Sequence, residues 1–247
     1  MIKMGILPIF EIDNTSGEYI MKTGNDLTLD ELKKQLGEWL DLGYIAPEDI
    51  PSIELYMDQV TTFMDRYLSK NKRTEEDKTL TKTMINNYTK NSLLPPPSKK
   101  RYSKEHIILL IYIYYFKNVV TINDIQVVLK PLIEKYYDNK DATHSLESIY
   151  NTLYELEKIQ YENTEMSITK TLELIEQGFE DKDDEYLKKL TFLALLGYDI
   201  YLKKKFMESI IDDMAKDMVA EDKPEEKKAK DKTKDKAKEK SKDKTIK

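Results

Sequence analysis

A block of 25 residues, from Leu80 to Lys104, carries the side chains of this chain that are best suited to bind a phosphate backbone. It contains six basic residues and no Asp or Glu, although the whole chain has 46 acidic and 40 basic residues and a net charge of −6. Clustered positive charge in an otherwise acidic chain attracts the phosphates of nucleic acids. The block therefore predicts a surface that binds double-stranded DNA.

The first part of the block predicts a recognition helix at 81–91. Thr81 is a favoured helix N-cap, and Met84, Ile85 and Tyr88 recur with helical spacing, so they form the inner face. Asn can make two hydrogen bonds to an adenine edge, and Lys can donate to guanine or to a phosphate. The predicted outer, DNA-contacting face consists of Lys82, Thr83, Asn86, Asn87 and Lys90.

The second part of the block predicts a basic loop at 98–102. Three consecutive prolines, Pro95 to Pro97, end the preceding helix because proline cannot continue it. The loop then places three positive charges in a row, which suits a neighbouring phosphate strand. Its predicted DNA-contacting residues are Lys99, Lys100, Arg101 and Tyr102.

Helices are expected to position these residues, since the chain has only 7 Gly and 8 Pro and therefore few tight turns. Capping residues and apolar periodicity predict an all-α fold. The helix at 52–69 has Pro51 at its first turn and an apolar stripe that begins at Ile53. The other predicted helices up to residue 137 are 29–42, 81–91, 104–117 and 122–130, and a charged loop covers 70–78.

The carboxy-terminal part, 138–220, is predicted to be a helical region for dimerisation or partner binding. After a polar linker, one helix begins near Ser145, another covers 167–178, and the last starts near Asp183. The segment Leu190 to Tyr201 is apolar on most sides, which predicts burial in a bundle or in a dimer interface.

The two ends of the chain differ in composition from the rest. Residues 1–28 form an N-terminal arm whose apolar residues could make a short strand. Residues 221–247 alternate lysine with other polar residues and hold essentially one sizeable apolar side chain, Ile246. Such a segment cannot bury enough surface to order itself, so we expect a disordered, solubilising tail.

A resemblance supports the DNA-binding interpretation. Met84 to Ser103, MINNYTKNSLLPPPSKKRYS, resembles the MerR-type helix-turn-helix, with its T-I-R-Y-Y-E-x-x-G-L-L-P-P pattern followed by R-x-Y-S. Together with Tyr56 to Phe63, YMDQVTTF, it also resembles an uncharacterised bacterial family known only as a domain of unknown function. The resemblance covers about residues 36–135. It implies a homodimeric transcription regulator whose MerR-like helix-turn-helix, with a minimal wing, occupies 29–137.

The resemblance can be carried over residue by residue. The DNA-contacting Arg of the MerR-type motif falls on Asn86 and its first Tyr on Asn87, while the core-facing Tyr is Tyr88. The basic residue of the loop is Arg101, followed by Tyr102. The loop is shorter than the usual wing, and a charged insert separates the first two helices. These departures motivate an alternative, a non-enzymatic helical protein-interaction adaptor that has lost sequence-specific DNA binding.

No catalytic residue, metal site or cofactor is expected. His106 and His144 lack spaced partners, and the chain has no phosphate-binding glycine motif. It also has no cysteine, which excludes disulfides and thiolate metal sites. The longest apolar run, Ile107 to Phe116, is shorter than the ~20 residues that a membrane span needs. With no signal-peptide pattern at the start, the sequence predicts a cytoplasmic protein without membrane contact, and it identifies no effector.

Overall fold

The computed structural model describes residues 10–12, 19–21, 29–40, 44–74, 76–179 and 185–221. These parts contain seven α-helices and two antiparallel two-stranded sheets. The predicted, mostly helical fold is therefore confirmed. Within the predicted arm, Phe10–Ile12 (β1) pairs with Tyr19–Met21 (β2), and Phe10 lies opposite Met21. The predicted disordered tail lies outside the described residues from 222 onward.

The chain divides into two compact units. Unit 1 comprises Met1–Leu42 and Glu155–Tyr198, and unit 2 comprises Gly43–Tyr154 and Asp199–Lys247. Each unit combines an amino-terminal stretch with part of two long helices, Leu146–Gly178 (α6) and Glu185–Glu221 (α7).

Unit 1 has a small apolar core. Leu29–Leu40 (α1) begins at the predicted residue, and its Leu32 packs against Leu172 and Ile175 of α6. Two polar contacts add to this packing: Lys33 pairs with Glu173 at 2.9 Å, and the Tyr161 hydroxyl donates to the Gly37 carbonyl at 3.2 Å. The other side chains packed against this core are Ile168, Phe179 and Phe192.

Unit 2 is built around Lys104–Phe116 (α4), which carries the longest apolar run of the sequence. Ile107 to Ile111 are all buried, as are Ile113 and Tyr114. A helix that is apolar on all sides can be stable only when neighbours cover it. Those neighbours include Met57–Leu68 (α2), Lys82–Lys90 (α3) and Ile122–Tyr136 (α5).

The start of α2 differs from the prediction. The helix begins at Met57 rather than at residue 52, and Leu55–Tyr56 (β3) pairs instead with Arg101–Tyr102 (β4). The side chain of Gln59 accepts a hydrogen bond from the Tyr56 backbone N–H at 2.8 Å, which caps the helix there. Ile53 is 68% exposed and does not belong to the apolar stripe. A distant strand pairing overrides the local signal of Pro51.

Two later helices are longer than predicted. α5 continues through Pro131 to Tyr136, because Leu132, Ile133 and Tyr136 still pack against the core of unit 2. α6 is one continuous helix of 33 residues, where the sequence predicted separate stretches. The polar residues between the two predicted stretches do not end the helix.

The middle of α7 is exposed within this chain. Leu193 is 63% and Phe206 71% exposed, and the neighbouring large apolar side chains are also about half exposed. The predicted burial of this segment within the chain's own bundle is therefore wrong, and the dimer-interface alternative stays a prediction. Among the described helices, none combines the length and apolar character needed to cross a membrane.

Candidate nucleic-acid interface

The helix α3 separates an apolar side from a polar side. Thr81 is its N-cap, and the Thr81 hydroxyl oxygen accepts a hydrogen bond from the Met84 backbone N–H at 3.2 Å. Ile85 and Tyr88 are buried and Met84 is half-buried, as predicted for the inner face. All five residues of the predicted outer face are exposed, namely Lys82, Thr83, Asn86, Asn87 and Lys90.

The carboxyl end of α3 is closed by backbone hydrogen bonds. The N–H groups of Leu93 and Leu94 both donate to the carbonyl of Tyr88, at 2.9 and 3.3 Å. Both leucine side chains are buried in the core, so the chain is anchored where it leaves the helix. The side chain of Gln126 donates to the Asn91 carbonyl at 3.1 Å, which connects this end of α3 to α5.

The predicted basic loop is a two-residue β-turn. The Arg101 N–H donates to the Ser98 carbonyl at 2.8 Å, and φ is +49° at Lys99 and +65° at Lys100. Two consecutive left-handed residues define a type I′ turn, which usually requires Asn-Gly. A left-handed conformation costs a non-glycine residue about 1–2 kcal/mol. Lysines occupy this strained tip, and both are exposed.

Tyr102 does not face solvent with the rest of the loop. It is 3% exposed, pairs with Leu55 in the β3–β4 sheet, and places its ring edge-on to His106, with 5.4 Å between ring centroids. This position corrects the prediction that Tyr102 contacts DNA. The buried Tyr102 side chain anchors the base of the turn, whereas Lys99, Lys100 and Arg101 are exposed.

Acidic residues accompany two of the predicted DNA contacts. Lys82 forms an ion pair with Asp58 of α2, and Arg101 pairs with Glu54 at 3.4 Å. All four side chains are largely exposed, and such pairs contribute about 0–1 kcal/mol. A phosphate can therefore displace either carboxylate at small cost. Lys90, Lys99 and Lys100 have no acidic partner in the part of the chain that the structure describes.

The charged segment between α2 and α3 is folded back onto α2. The Asp65 carboxylate pairs with Lys72 at 2.7 Å and accepts a hydrogen bond from the Thr79 hydroxyl at 3.1 Å. These contacts, led by the hydrogen bond from Lys72, lower the pKa of Asp65. Lys117 of α4 donates to the Thr79 carbonyl at 2.7 Å, and burial lowers the pKa of its amine.

Between this segment and α2 lies a shallow, open cleft of about 430 Å³. Its basic lining residues are Arg66 from α2 and Lys72 and Lys78 from the segment, and Thr81 lies at the edge nearest α3. The sequence interpretation missed Arg66 and Lys78 because both fall outside the acid-free block. Lys78 is the last residue of the predicted loop and Arg66 lies four residues before its first residue, and this proximity in sequence was the signal that could have pointed to them.

The described residues contain no group of three or more His, Asp or Glu side chains arranged to hold a metal ion. The chemistry that this surface offers is therefore hydrogen-bond donation and positive charge. Amide side chains lie on α3, and ammonium or guanidinium groups lie on α3, at the turn and around the cleft.

The comparison with protein families identifies the domain that carries this surface. Residues 45–153 match the family model described as Domain of unknown function (DUF1836). The match includes α2, α3, the turn, α4, α5 and the first residues of α6, so the chain carries a DUF1836 domain. This confirms the expected resemblance to a family of unknown function. No curated protein and no solved structure matches the chain significantly.

Proposed function

We propose that the DUF1836 domain of this chain binds duplex DNA and that the protein is a MerR-like transcription regulator. The observation that carries the proposal is the exposed face of α3, whose five polar side chains include two lysines and no carboxylate. The opposite side of the same helix is buried, so the polar face is held outward by the core.

The side chains on α3 suit the major groove. Asn86 and Asn87 are adjacent and exposed, and an Asn amide can bond both polar groups of an adenine edge. Lys82 and Lys90 lie near the two ends of the helix, where they can reach phosphates on either side of the groove. Base contacts are thus assigned to the two asparagines and backbone contacts to the two lysines.

The turn supplies a second contact with the DNA backbone. Lys99 and Lys100 occupy its tip, and the β3–β4 pairing connects its base to the residues just before α2. An exposed pair of ammonium groups on a braced turn is suited to phosphate, which attracts charge without requiring a particular base. A DNA-binding role also implies a cytoplasmic protein.

Homodimer formation through α7 is part of the same proposal. Ten large apolar side chains between Tyr186 and Phe206 are about half exposed. Their positions in the sequence distribute them around the helix, so a single partner would cover only part of them. A second copy of the chain that packs on α7 would remove that part from water, which favours association.

The proposal is tested by the salt dependence of DNA binding. Genomic fragments retained at low salt would be sequenced, and affinity for one of them would be measured by fluorescence anisotropy at several salt concentrations. The triple variant Lys99→Ala/Lys100→Ala/Arg101→Ala should flatten the log-log slope by about 0.9 for each phosphate that the turn no longer binds. A triple variant of exposed lysines elsewhere, Lys140→Ala/Lys170→Ala/Lys216→Ala, changes the net charge equally and is the control.

Two results would contradict the proposal. Retention of no fragment by the wild-type protein at low salt would exclude DNA binding altogether. If the turn variant still binds DNA with an unchanged slope, the turn does not contact the DNA backbone.

A second candidate function is a protein-interaction adaptor that keeps the fold without reading DNA. The ion pairs Lys82–Asp58 and Arg101–Glu54 favour it, because they partly neutralise the proposed DNA face. The exposed apolar side chains of α7 would then bind a partner protein instead of a second copy. The same fragment selection distinguishes the two candidates, since an adaptor retains no DNA.

A further inference from the structure

The cleft between α2 and the segment 69–81 has a surplus of positive charge. Three basic side chains line it, from Arg66, Lys72 and Lys78, and one acidic side chain, Asp65, lies among them. Lys72 already pairs with Asp65 at 2.7 Å, which leaves Arg66 and Lys78 uncompensated within the described residues. The cleft therefore carries a net charge of about +2, which favours an anion.

The cleft also retains hydrogen-bond donors. The hydroxyl oxygen of Thr81 accepts from the Met84 N–H, so its own hydrogen remains available to donate. The exposed hydroxyl of Thr62 adds a further donor on α2. In contrast, the hydroxyl of Thr79 is already used, because it donates to Asp65 at 3.1 Å. A tetrahedral anion has several acceptor oxygens and would match this arrangement of donors.

The walls of the cleft are fixed before any ligand binds. Lys117 donates to the Thr79 carbonyl, and Leu80 is buried in the core, so the segment is anchored where it enters α3. The guanidinium of Arg66 lies over the Tyr67 ring, with 5.6 Å between its carbon and the ring centroid. A stacked guanidinium has fewer conformations to lose when it binds an oxyanion.

We propose that this cleft binds a backbone phosphate of the DNA that lies across α3. The inference rests on the proposed function, and it assigns a role to the segment 69–81. Thr81 is both a lining residue of the cleft and the N-cap of α3, so a phosphate held there would lie beside the amino-terminal end of the recognition helix.

The experiment measures the salt dependence of DNA affinity in the full-length protein. Arg66→Ala/Lys78→Ala is compared with the wild type, with Arg66→Lys/Lys78→Arg, and with the charge-matched control Lys140→Ala/Lys216→Ala. If the cleft binds one phosphate, the log-log slope of the alanine variant should fall by about 0.9, and its affinity at 0.1 M salt should fall about eightfold. The conservative variant should keep most of the slope, and the control should resemble the wild type. Circular dichroism and melting temperature establish that all variants fold.

The outcomes separate the cleft from the proposed function. If the wild type binds DNA and Arg66→Ala/Lys78→Ala has the same slope, the cleft does not bind a DNA phosphate. The proposed DNA-binding function would then remain. Absence of wild-type DNA binding would overturn both.

A second measurement distinguishes a DNA phosphate from a free anion. The melting temperature of the DNA-free protein is followed as inorganic phosphate is added. A rise in the wild type that is absent in Arg66→Ala/Lys78→Ala, together with an unchanged DNA slope, would identify a free anion as the ligand and would overturn the assignment to DNA.

Discussion

The backbone N–H of Ser103 donates a hydrogen bond to Nδ1 of His106, and the two nitrogen atoms are 3.0 Å apart. The imidazole is 2% exposed, and its Nε2 lies 3.1 Å from the Tyr137 hydroxyl. Since Nδ1 accepts, the proton of the neutral ring is on Nε2. This histidine caps α4 directly below the β4 strand that carries the basic turn.

We predict that the domain loses stability as the pH falls below about 6.5, the usual pKa of histidine. Burial lowers the pKa of His106 in the folded state. The unfolded chain therefore takes up the proton first, so this contribution to stability is complete above the unfolded pKa and declines as pH falls through the folded pKa. Urea unfolding at pH 7.5 and pH 5.5 measures the difference.

The variant His106→Gln isolates this effect. Glutamine can accept the same hydrogen bond from Ser103 but does not titrate, so the pH dependence between 7.5 and 5.5 should shrink. Burial raises the pKa of the neighbouring Glu105, and its contribution has the opposite sign, since it is lost as pH rises. The exposed His144, replaced by glutamine, serves as the control. An equal pH dependence in wild type and His106→Gln would contradict the prediction.

We predict that Asn86→Ala and Asn87→Ala reduce sequence discrimination and leave the salt slope unchanged. A two-bond contact between an Asn amide and adenine contributes about 1–3 kcal/mol of discrimination. The measurement is the ratio of affinities for a selected fragment and a scrambled one. Lys90→Ala is the matched comparison on the same helix face, because it should lower both affinities and flatten the slope instead. If both Asn variants keep the wild-type ratio of affinities, neither Asn86 nor Asn87 contacts a base.

Replacing the tip of the turn, Lys99→Asn/Lys100→Gly, should stabilise the domain and weaken DNA binding. The left-handed φ values of both lysines disfavour them there, whereas Asn-Gly adopts this turn readily. Relief of strain should raise the free energy of unfolding by about 1 kcal/mol or more. Thermal unfolding and anisotropy are measured on the same preparation. A variant that is less stable than Lys99→Ala/Lys100→Ala would show that the turn is not strained.

The substitution Leu193→Asp should convert a dimer into a monomer without unfolding the chain. The side chain is 63% exposed, so a charge there costs little in the isolated chain but would be buried in a dimer interface. Sedimentation at micromolar concentration should show at least a tenfold weaker dimer. Ser209→Asp introduces the same charge at an exposed polar position of α7 and should leave the dimer intact. A wild-type protein that sediments as a monomer would refute the dimer.

Local signals in the sequence were sufficient to predict helix α3. Thr81 as cap, with Ile85 and Tyr88 four and seven residues later, predicted both the start of α3 and its buried side. The predicted starts of α4 and α5, at residues 104 and 122, are also correct, and Ser103 and Thr121 cap these helices. These features depend on residues within one or two helical turns, so spacing alone reveals them.

Contacts between residues far apart in the sequence could not be predicted from such local signals. The pairing of Leu55 with Tyr102 turns the expected first turn of α2 into a strand and removes Tyr102 from the surface. The cleft depends on Arg66 and Lys78 lining the same space, and on Asp65 of α2 and Lys117 both bonding to Thr79 of the segment. Such relations join residues far apart in sequence, and a single sequence does not record them.

For the apolar middle of α7, the sequence predicted only part of what the structure shows. Its composition predicted burial but could not identify what covers it, because a core and an interface require the same side chains. The structure shows that the described parts of the chain itself leave Leu193 and Phe206 uncovered.

The closed ends of α3 have a consequence for the thermodynamics of recognition. Thr81 satisfies an N–H at one end, and the Tyr88 carbonyl receives two N–H groups at the other. A helix already fixed in this way does not have to fold upon DNA, so association should involve little loss of backbone entropy. The heat-capacity change of binding should then reflect only the surface covered at the interface, without the large additional value of coupled folding.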